Sequence, residues 1–241
     1  MKRTVDFFVA LFGLMVVWPI ILVAMIAVWL QDFRSPFYLS SRVGKDGVLF
    51  NLVKLRSMQI HSDQLKIDST SANDPRITTI GRIIRAYKID ELPQLWNVLK
   101  GEMSLVGPRP NVKRETDLYT PVESKILSVK PGITDISSIV FSDLADILRT
   151  SQDPNLDYNQ MVRPWKSRLS LLYIDNQSLW LDLRLVLLTV VALISRDMAL
   201  KRIQGILEEL QADSTLRRVA LRQNRLTPHP PPGSTEIVTS R

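Results

Sequence analysis

Two adjacent carboxylates, Asp90 and Glu91, are the residues whose types and spacing best suit chemistry in this sequence. They stand just before Pro93, where a helix is predicted to begin. Carboxylates at such a position commonly cap free backbone amides and favour the helix dipole, which would make the pair structural. A buried or coupled carboxylate can instead attack phosphorus as a nucleophile, while its neighbour tunes protonation or binds a divalent cation. The local sequence leaves both alternatives open.

The composition restricts the chemistry that this chain can perform. It contains no cysteine, which excludes disulfides, thiolate nucleophiles and cysteine-based metal sites. The two histidines, His61 and His229, lie far apart, so neither an imidazole metal site nor a Ser/His catalytic arrangement is expected. Any metal ion should therefore be a hard cation bound through oxygen. The formal net charge of +7 predicts an acidic partner, which could be nucleic acid, anionic lipid or a phosphorylated substrate.

The N-terminal segment predicts a membrane helix. Residues Phe7 to Leu30 carry no charge, and at ~1.5 Å per residue they could cross a bilayer core of ~30 Å. A cleaved signal peptide is the alternative, but the run is too long and has no small-x-small cleavage site before Asp32. Pro19 removes one backbone donor in the middle of the run, which predicts a kink. Basic residues flank both ends, which leaves open a kinked spanning helix or a re-entrant helix with both ends on one face.

The sequence after the membrane segment predicts a mixed α/β domain, mostly helical with a few short strands. Turn-punctuated short strands are expected within residues 35–47, and residues 48–53 are the best strand candidate. Apolar spacing predicts helices at 77–87 and 94–99. The polar stretch 61–75 fits either a helix or a loop.

The last third of the chain predicts amphipathic helices and a tail. Leu179 to Ile194 is apolar apart from Asp182 and Arg184, and its uncharged part is too short to span a bilayer. It predicts either an amphipathic helix at the membrane interface or a buried core helix. A polar helix is expected from Lys201 to Asn224, and the proline-rich sequence that follows predicts a disordered tail.

Extended motifs make the chain resemble the bacterial sugar transferase family, the monotopic phosphoglycosyl transferases that act on polyprenyl phosphate. The similarity runs over about residues 1 to 200. The motifs that carry it are Lys54-Leu55-Arg56-Ser57-Met58, Asp74-Pro75-Arg76-Ile77-Thr78, Gly81-Arg82, the stretch Asp90 to Pro110 and Lys130-Pro131-Gly132-Ile133-Thr134.

The resemblance implies transfer of a phosphosugar from a nucleotide sugar, a UDP-sugar, to polyprenyl (undecaprenyl) phosphate. This is the first step of a surface glycan pathway, such as exopolysaccharide or lipopolysaccharide synthesis. Asp90 matches the aspartate that attacks phosphorus, releases UMP and forms a covalent aspartyl phosphosugar, and Glu91 matches the glutamate that assists it. The acceptor then attacks this intermediate in a ping-pong route, and Mg²⁺ held by Asp90 and Glu91 would neutralise the diphosphate. An inactive membrane scaffold of a polysaccharide assembly complex is the alternative, against which the intact pair argues.

Four arginines are candidate phosphate ligands under this resemblance. Arg85 and Arg109 match family positions implicated in phosphate binding, and guanidinium is a planar, permanently charged fork suited to phosphate oxygens. The prolines on either side of Arg109 would hold a rigid turn. Arg56 and Arg82 are further candidates, with a surface ion pair to a carboxylate as the alternative.

The resemblance also implies an arrangement at the membrane. Pro19 occupies the place of the proline that breaks the family's re-entrant helix, which favours the re-entrant form here. The chain then divides into a membrane-embedded helix (1–34), a catalytic domain (35–200) that includes an interfacial helix at 179–194, and a polar helix with a disordered tail (201–241). The implied location is the bacterial inner (cytoplasmic) membrane, with the catalytic domain on the cytoplasmic face.

The expected partners are a nucleotide-sugar donor, a polyprenyl phosphate acceptor and membrane lipids. A homodimer is allowed, and no nucleic acid is expected because no binding fold accompanies the basic residues near the C-terminus. The chain departs from the common family pattern at Lys88, at Glu102 and at residues 135–138. Because the carboxylate pair and Arg109 are intact, these departures bear on donor specificity more than on activity.

Overall fold

Helices make up most of the residues that the structure describes. The structure is a computed structural model, and it describes residues 1–60 and 74–239. Its helices are α1 (Lys2–Leu30), α2 (Thr79–Ala86), α3 (Gln94–Lys100), α4 (Lys113–Thr116), α5 (Ile136–Val140), α6 (Leu144–Ile147), α7 (Pro154–Asp157), α8 (Arg163–Asp175), α9 (Leu179–Ile194), α10 (Arg196–Glu209) and α11 (Ser214–Ala220). Its strands are β1 (Phe37–Val43), β2 (Leu49–Leu55), β3 (Ser104–Val106) and β4 (Gly132–Thr134). The predicted mostly helical α/β domain is thereby confirmed, while the stretch predicted at 61–75 lies almost wholly outside the described residues.

The strands form two small pairs. β1 and β2 make an antiparallel hairpin in which Leu39 lies opposite Val53, and β3 and β4 pair in parallel. The best strand candidate is confirmed as β2, whereas Lys45–Gly47 forms a tight helical turn between the two strands rather than strand. Within that turn Asp46 and Gly47 have positive φ angles, which a continuous strand cannot accommodate.

Helix α1 belongs to the core of the domain along one of its sides. Near its N-terminus Ala10 is fully buried in a cluster with Val98 of α3. Near its C-terminus Val28 is fully buried in a second cluster with Leu55 of β2. The small side chain of Ala10 lets the two backbones come close, so α1 packs against the rest of the domain at both ends.

The other side of α1 is apolar and exposed. Phe12, Val16 and Val23 are among the most exposed apolar side chains of this helix. Among the described residues α1 is the one helix long and apolar enough to cross a membrane, with a mean hydropathy of 2.7 over its most apolar window. It continues as one helix through Pro19.

Polar contacts also hold both ends of α1 to the same domain. Near the N-terminus the buried Asp6 carboxylate accepts hydrogen bonds from Ser104 Oγ at 2.8 Å and from the Leu105 amide at 3.2 Å. Just after the C-terminus of α1, Asp32 forms an ion pair with Arg56, the residue that follows β2. A buried carboxylate is tolerated only where donors satisfy it, so the Asp6 contacts fix the first turn of α1 on β3.

Helix α9 has the bounds predicted from the sequence. Ser178 caps it by accepting a hydrogen bond from the Leu181 amide. Leu181 and Leu185 are buried in the large cluster formed with α5, α8 and α10, whereas Leu187 and Trp180 are exposed. The core-helix interpretation is thus confirmed for the buried side of α9, while the interfacial interpretation of its exposed side stays a prediction.

The end of the chain differs from its prediction in two ways. The polar helix expected from Lys201 to Asn224 is divided into α10 and α11 by a turn in which Gln211 has a positive φ of 54°. The tail predicted as disordered is packed on α8, where the His229 ring stacks on Trp165 with centroids 4.3 Å apart. Arg168 Nη1 donates to the Pro230 carbonyl at 3.1 Å. Prolines leave their carbonyls free to accept such bonds, which is how an extended segment of this composition becomes fixed.

Candidate active site

The carboxylate pair lies on a short turn between α2 and α3. Ile89–Glu91 forms a single 3₁₀ turn, and Lys88 before it adopts a left-handed conformation with φ of 57°. Helix α3 begins only at Gln94, with Pro93 before it, and no side chain caps its first turn. The capping alternative is therefore not realised, and another explanation is needed for two carboxylates at this turn.

Asp90 is a buried carboxylate without a hydrogen-bond donor among the described residues. Its exposed fraction is 5 %. Burial raises the pKa of Asp90, and the adjacent charge of Glu91 raises it further, against the opposing charges of Lys54 and Arg85. A carboxylate whose lone pairs are not occupied and whose basicity is raised is suited to nucleophilic attack.

Glu91 has the opposite environment. Arg109 Nη1 donates to Glu91 Oε2 at 3.1 Å while Nη2 bonds the other oxygen, which gives a two-pronged pair. Lys54 Nζ adds a contact to Oε1 at 3.4 Å. Burial alone would raise the pKa of Glu91, but Arg109 and Lys54 hold it well below its usual value. The two neighbouring carboxylates thus differ, because the pKa of Asp90 is raised and the pKa of Glu91 is lowered.

The turn that carries Arg109 is set by two glycines in close contact. β3 leads into Gly107, which lies against Gly132 of β4. A Cβ atom added to Gly132 would lie 2.1 Å from the Gly107 amide nitrogen, and one added to Gly107 would lie 2.5 Å from the Lys130 carbonyl. Only glycine fits at both places, so the motifs around Gly107 and Gly132 act together to position Arg109 beside Glu91.

Sequence reasoning missed Lys54 as a site residue, although it belongs to one of the quoted motifs. Side chains alternate along β2, so Lys54 points away from the buried Leu55 and towards Glu91. Burial lowers the pKa of Lys54 to about 8, partly offset by the charge of Glu91. The signal that could have found it is a lysine inside a strand whose other residues, apart from Asn51, are apolar.

The other three predicted arginines have different surroundings. Arg85 is half-buried, bonds Ser57 Oγ at 3.4 Å and acts electrostatically on Asp90. Arg56 forms an ion pair with Asp32, and its Nε donates to the Ser35 carbonyl at 2.9 Å. An ion pair to a carboxylate was the alternative to phosphate binding that the sequence left open for Arg56. Arg82 is exposed on α2. Within the described part of the chain, neither Arg56 nor Arg82 makes a hydrogen bond or ion pair to Asp90 and Glu91, the carboxylate dyad.

A narrow polar recess opens beside Arg109, between the turn after β3 and helices α5 and α8. The Lys166 ammonium lies in it, 5.7 Å from the centroid of the Tyr158 ring, and burial lowers the pKa of Lys166. The buried Asp135 carboxylate accepts hydrogen bonds from Ser137 Oγ at 2.8 Å and Ser170 Oγ at 3.1 Å, and both serines line the recess. The unusual stretch at 135–138 therefore contributes Ser137 to the lining of this recess.

The carboxylates fit a magnesium ion unequally. Asp90 has oxygens that no described donor occupies, whereas both Glu91 oxygens are bonded to Arg109. Within residues 1–60 and 74–239 no cluster of three or more acidic or histidine side chains is suited to a metal. Because Mg²⁺ is commonly bound by one or two carboxylates together with substrate phosphates, Asp90 fits that role better than Glu91.

Comparisons with known proteins identify the family of this chain. The profile of the family described as "Bacterial sugar transferase" matches residues 1–196. The chain is 34% identical over 200 residues to the "Galactosyl transferase CpsE" of Streptococcus agalactiae, a match covering 78% of this chain and 41% of that protein. It is 33% identical over 205 residues to the "UDP-glucose:undecaprenyl-phosphate glucose-1-phosphate transferase" of Caulobacter vibrioides, covering 82% and 71%.

A third relative is the "Undecaprenyl-phosphate galactose phosphotransferase" of Salmonella typhimurium, 34% identical over 217 residues, covering 82% of this chain and 41% of that protein. The chain thus spans less than half the length of two of these relatives. The shared part includes the dyad, Lys54 and the turn at Arg109. On this match over most of its length, the chain belongs to the bacterial sugar transferase family.

Proposed function

We propose that this protein transfers a phosphosugar from a UDP-sugar to undecaprenyl phosphate, giving a polyprenyl diphosphate sugar and UMP as the first step of a surface glycan pathway. The observation that carries the proposal is the buried Asp90 carboxylate, free of described donors, beside a Glu91 fixed by Arg109 and Lys54. The printed names of two relatives, which specify undecaprenyl phosphate as acceptor, support it.

The proposed route has two displacements at phosphorus. Asp90 attacks the phosphorus next to the sugar, a bond forms between its oxygen and that phosphorus, and the bond to the leaving UMP breaks. An oxygen of the polyprenyl phosphate then attacks the same phosphorus, which breaks the aspartyl bond and regenerates the carboxylate. Two easier steps thus replace one difficult transfer. Arg109 and Lys54 would stabilise negative charge on the phosphoryl oxygens, and Glu91 would hold both cations in position.

A magnesium ion fits this proposal at Asp90, with the remaining ligands supplied by the donor. When bound there it would neutralise charge on the diphosphate. Arg85, which acts electrostatically on Asp90, would add a fixed positive charge on the same side.

We further propose that α1 is re-entrant, kinked at Pro19, and that the protein acts at the cytoplasmic face of the inner membrane. Asp6 and Asp32, at opposite ends of α1, both bond the same catalytic domain, which supports a helix whose ends stay on one side. The exposed apolar side of α1 would lie in lipid. The exposed residues of α9, including Trp180 and Leu187, would add an interfacial anchor.

The test is an assay in lipid nanodiscs with a panel of UDP-sugars, magnesium and undecaprenyl phosphate. UMP release that needs both the lipid and the metal would support the reaction and identify the donor. Exchange of labelled UMP into the UDP-sugar without acceptor would support the covalent route, because only a ping-pong enzyme reverses its first half alone. Absence of release and exchange with every donor would instead favour an inactive scaffold.

The pH dependence should depend on Lys54. As the pH rises through about 8, Lys54 loses its proton and the dyad loses a cation, so kcat/KM should fall on the alkaline side. In Lys54→Arg the guanidinium stays charged, and this alkaline fall should move to higher pH. Lys100→Arg, at the exposed end of α3, is the matched control and should keep the native profile. An unchanged alkaline fall in Lys54→Arg would assign it to another group.

A further inference from the structure

An apolar groove with a volume of about 620 Å³ runs between α1, the β1–β2 hairpin and the start of α3. Such a volume lies within the range of ~300–1,000 Å³ that is typical of ligand pockets. Its lining is apolar apart from Ser35. The side chains that form most of it are Leu14 and Ile21 of α1, Leu39 and Val53 of the hairpin, and Pro93 and Trp96 beside the dyad turn.

The hairpin separates this groove from the charged site by the thickness of one sheet. Val53 points into the groove, and because side chains alternate along a strand, Lys54 points from the opposite face to Glu91. Pro93, also in the groove wall, follows Glu91 by two residues. A ligand in the groove would thus have an apolar part on one face of β2 and could extend an anionic end round to the cations on the other.

The groove differs from the rest of the apolar surface of α1. The outer side of this helix, around Phe12 and Val23, is exposed, which suits bulk lipid. The groove lies on the inner side of the same helix, over about two turns between Leu14 and Ile21, and its other walls belong to the catalytic domain. The groove therefore extends from the predicted membrane segment to Pro93, beside the turn that carries Asp90 and Glu91.

We propose that this groove binds the isoprenoid chain of the acceptor, with the acceptor phosphate directed to Lys54 and Arg109. The inference rests on the proposed function, since the occupant must combine a long apolar chain with an anionic head. An apolar cleft on one face of β2, with the cations Lys54 and Arg109 on the other face beyond Pro93, is complementary to both parts of that molecule. A phospholipid acyl chain and a second copy of this protein are the occupants that the experiments below would reveal instead.

The first experiment compares a long-chain polyprenyl phosphate with a two-isoprene phosphate as acceptors. Leu39→Glu places a charge in the groove, and because Leu39 is 59 % exposed the fold should tolerate it. The ratio of long-chain to short-chain kcat/KM should fall roughly tenfold or more, the effect of losing one buried leucine contact. Leu187→Glu on α9, where Leu187 is 58 % exposed, is the matched control and should keep the native ratio. A native ratio in Leu39→Glu would overturn the proposal.

A second pair of variants repeats this comparison without adding charge. Trp96→Ala removes the largest groove side chain, which is 52 % exposed, and Trp180→Ala removes a tryptophan from α9 that is 66 % exposed. Only Trp96→Ala should lower the chain-length ratio. Equal losses in both variants would indicate general membrane anchoring and would contradict a chain-binding groove.

The third experiment locates the chain directly. A polyprenyl phosphate carrying a diazirine in its isoprenoid chain is photolysed with the wild-type protein in nanodiscs, and labelled peptides are mapped. Labels on Leu39, Val53 or Trp96 that unlabelled polyprenyl phosphate displaces and added phospholipid does not would support the proposal. Labelling displaced equally by phospholipid would assign the groove to bulk lipid. Weaker labelling in nanodiscs with two copies of the protein than in nanodiscs with one would assign the groove to contact with a second copy.

Failure of this inference and failure of the proposed function give different results. If the protein exchanges UMP into a UDP-sugar but labelling avoids the groove, the enzyme is supported and the acceptor site is wrong. If no donor supports exchange, but unlabelled polyprenyl phosphate displaces the label from the groove, the lipid-binding site is supported and the proposed reaction is not.

Discussion

Asp90→Asn should abolish both UMP exchange and transfer to the acceptor, by at least about a thousandfold, as expected when a covalent nucleophile is removed. Asparagine has nearly the same size, so the buried turn should be preserved. The amide cannot form the acyl phosphate, because its nitrogen replaces one carboxylate oxygen and it carries no negative charge. The measurement is UMP release together with retention of labelled sugar phosphate on the denatured protein.

Asp46→Asn is the matched control for this substitution. Asp46 lies exposed in the hairpin turn with φ of 56°, a conformation that asparagine accepts readily. This variant should keep native activity and native retention of the label. An Asp90→Asn protein with more than a tenth of native exchange would exclude Asp90 as the nucleophile and with it the covalent route.

Glu123→Gln should lower the free energy of unfolding by about 3–5 kcal/mol, the usual effect of removing one partner of a buried ion pair. Glu123 is fully buried and Arg163 is 2 % exposed. Arg163 Nε donates to Glu123 Oε1 at 3.0 Å, and Ser167 Oγ donates to the same oxygen at 2.7 Å. The amide would leave the guanidinium charge unpaired inside the protein. Chemical unfolding in a single detergent measures the loss.

Two further variants separate charge from packing. Asp117→Asn breaks the exposed pair with Lys113 on the surface and should change stability by less than about 0.5 kcal/mol. Replacing both buried partners, as Glu123→Leu with Arg163→Met, should recover much of the loss because no charge is then left unpaired. A Glu123→Gln protein as stable as wild type would show that solvent or another cation compensates the pair.

Local signals were sufficient for the helices that frame the site. Helix α9 ends where its apolar run ends and begins at Ser178, whose side chain makes the cap that such a residue predicts. Helix α3 ends at Gly101, which has a φ of 83° that favours glycine. These signals act over a few residues, so they can be interpreted without the rest of the fold.

The pairing within the site could not be predicted in the same way. Glu91 meets Arg109, 18 residues away, and Lys54, 37 residues away, across β-strands of three to seven residues. Strands as short as β3 and β4 carry little periodic signal, and their pairing depends on the contact between two glycines distant in sequence. The resemblance supplied the candidate residues. The different surroundings of Asp90 and Glu91, which shift their pKa values in opposite directions, follow only from the fold.

Two predictions took no account of long-range partners. Arg56 was a candidate phosphate ligand, yet Asp32, which follows the membrane segment, occupies it. The tail was predicted as disordered because its composition offers little apolar surface. Composition takes no account of the stacking of His229 on Trp165 or of carbonyls that accept from Arg168, and these contacts fix the segment.

The bonds that hold the first turn of α1 decide where the chain ends emerge. Lys2 bonds Asp182 and the Val106 carbonyl, so the exposed Met1 lies beside the domain that carries the carboxylate pair. The tail, bonded to α8, lies on that domain as well. With the proposed re-entrant α1, fluorescent or enzymatic reporters fused to either terminus would share one cellular compartment, and proteases added to sealed vesicles would reach both or neither.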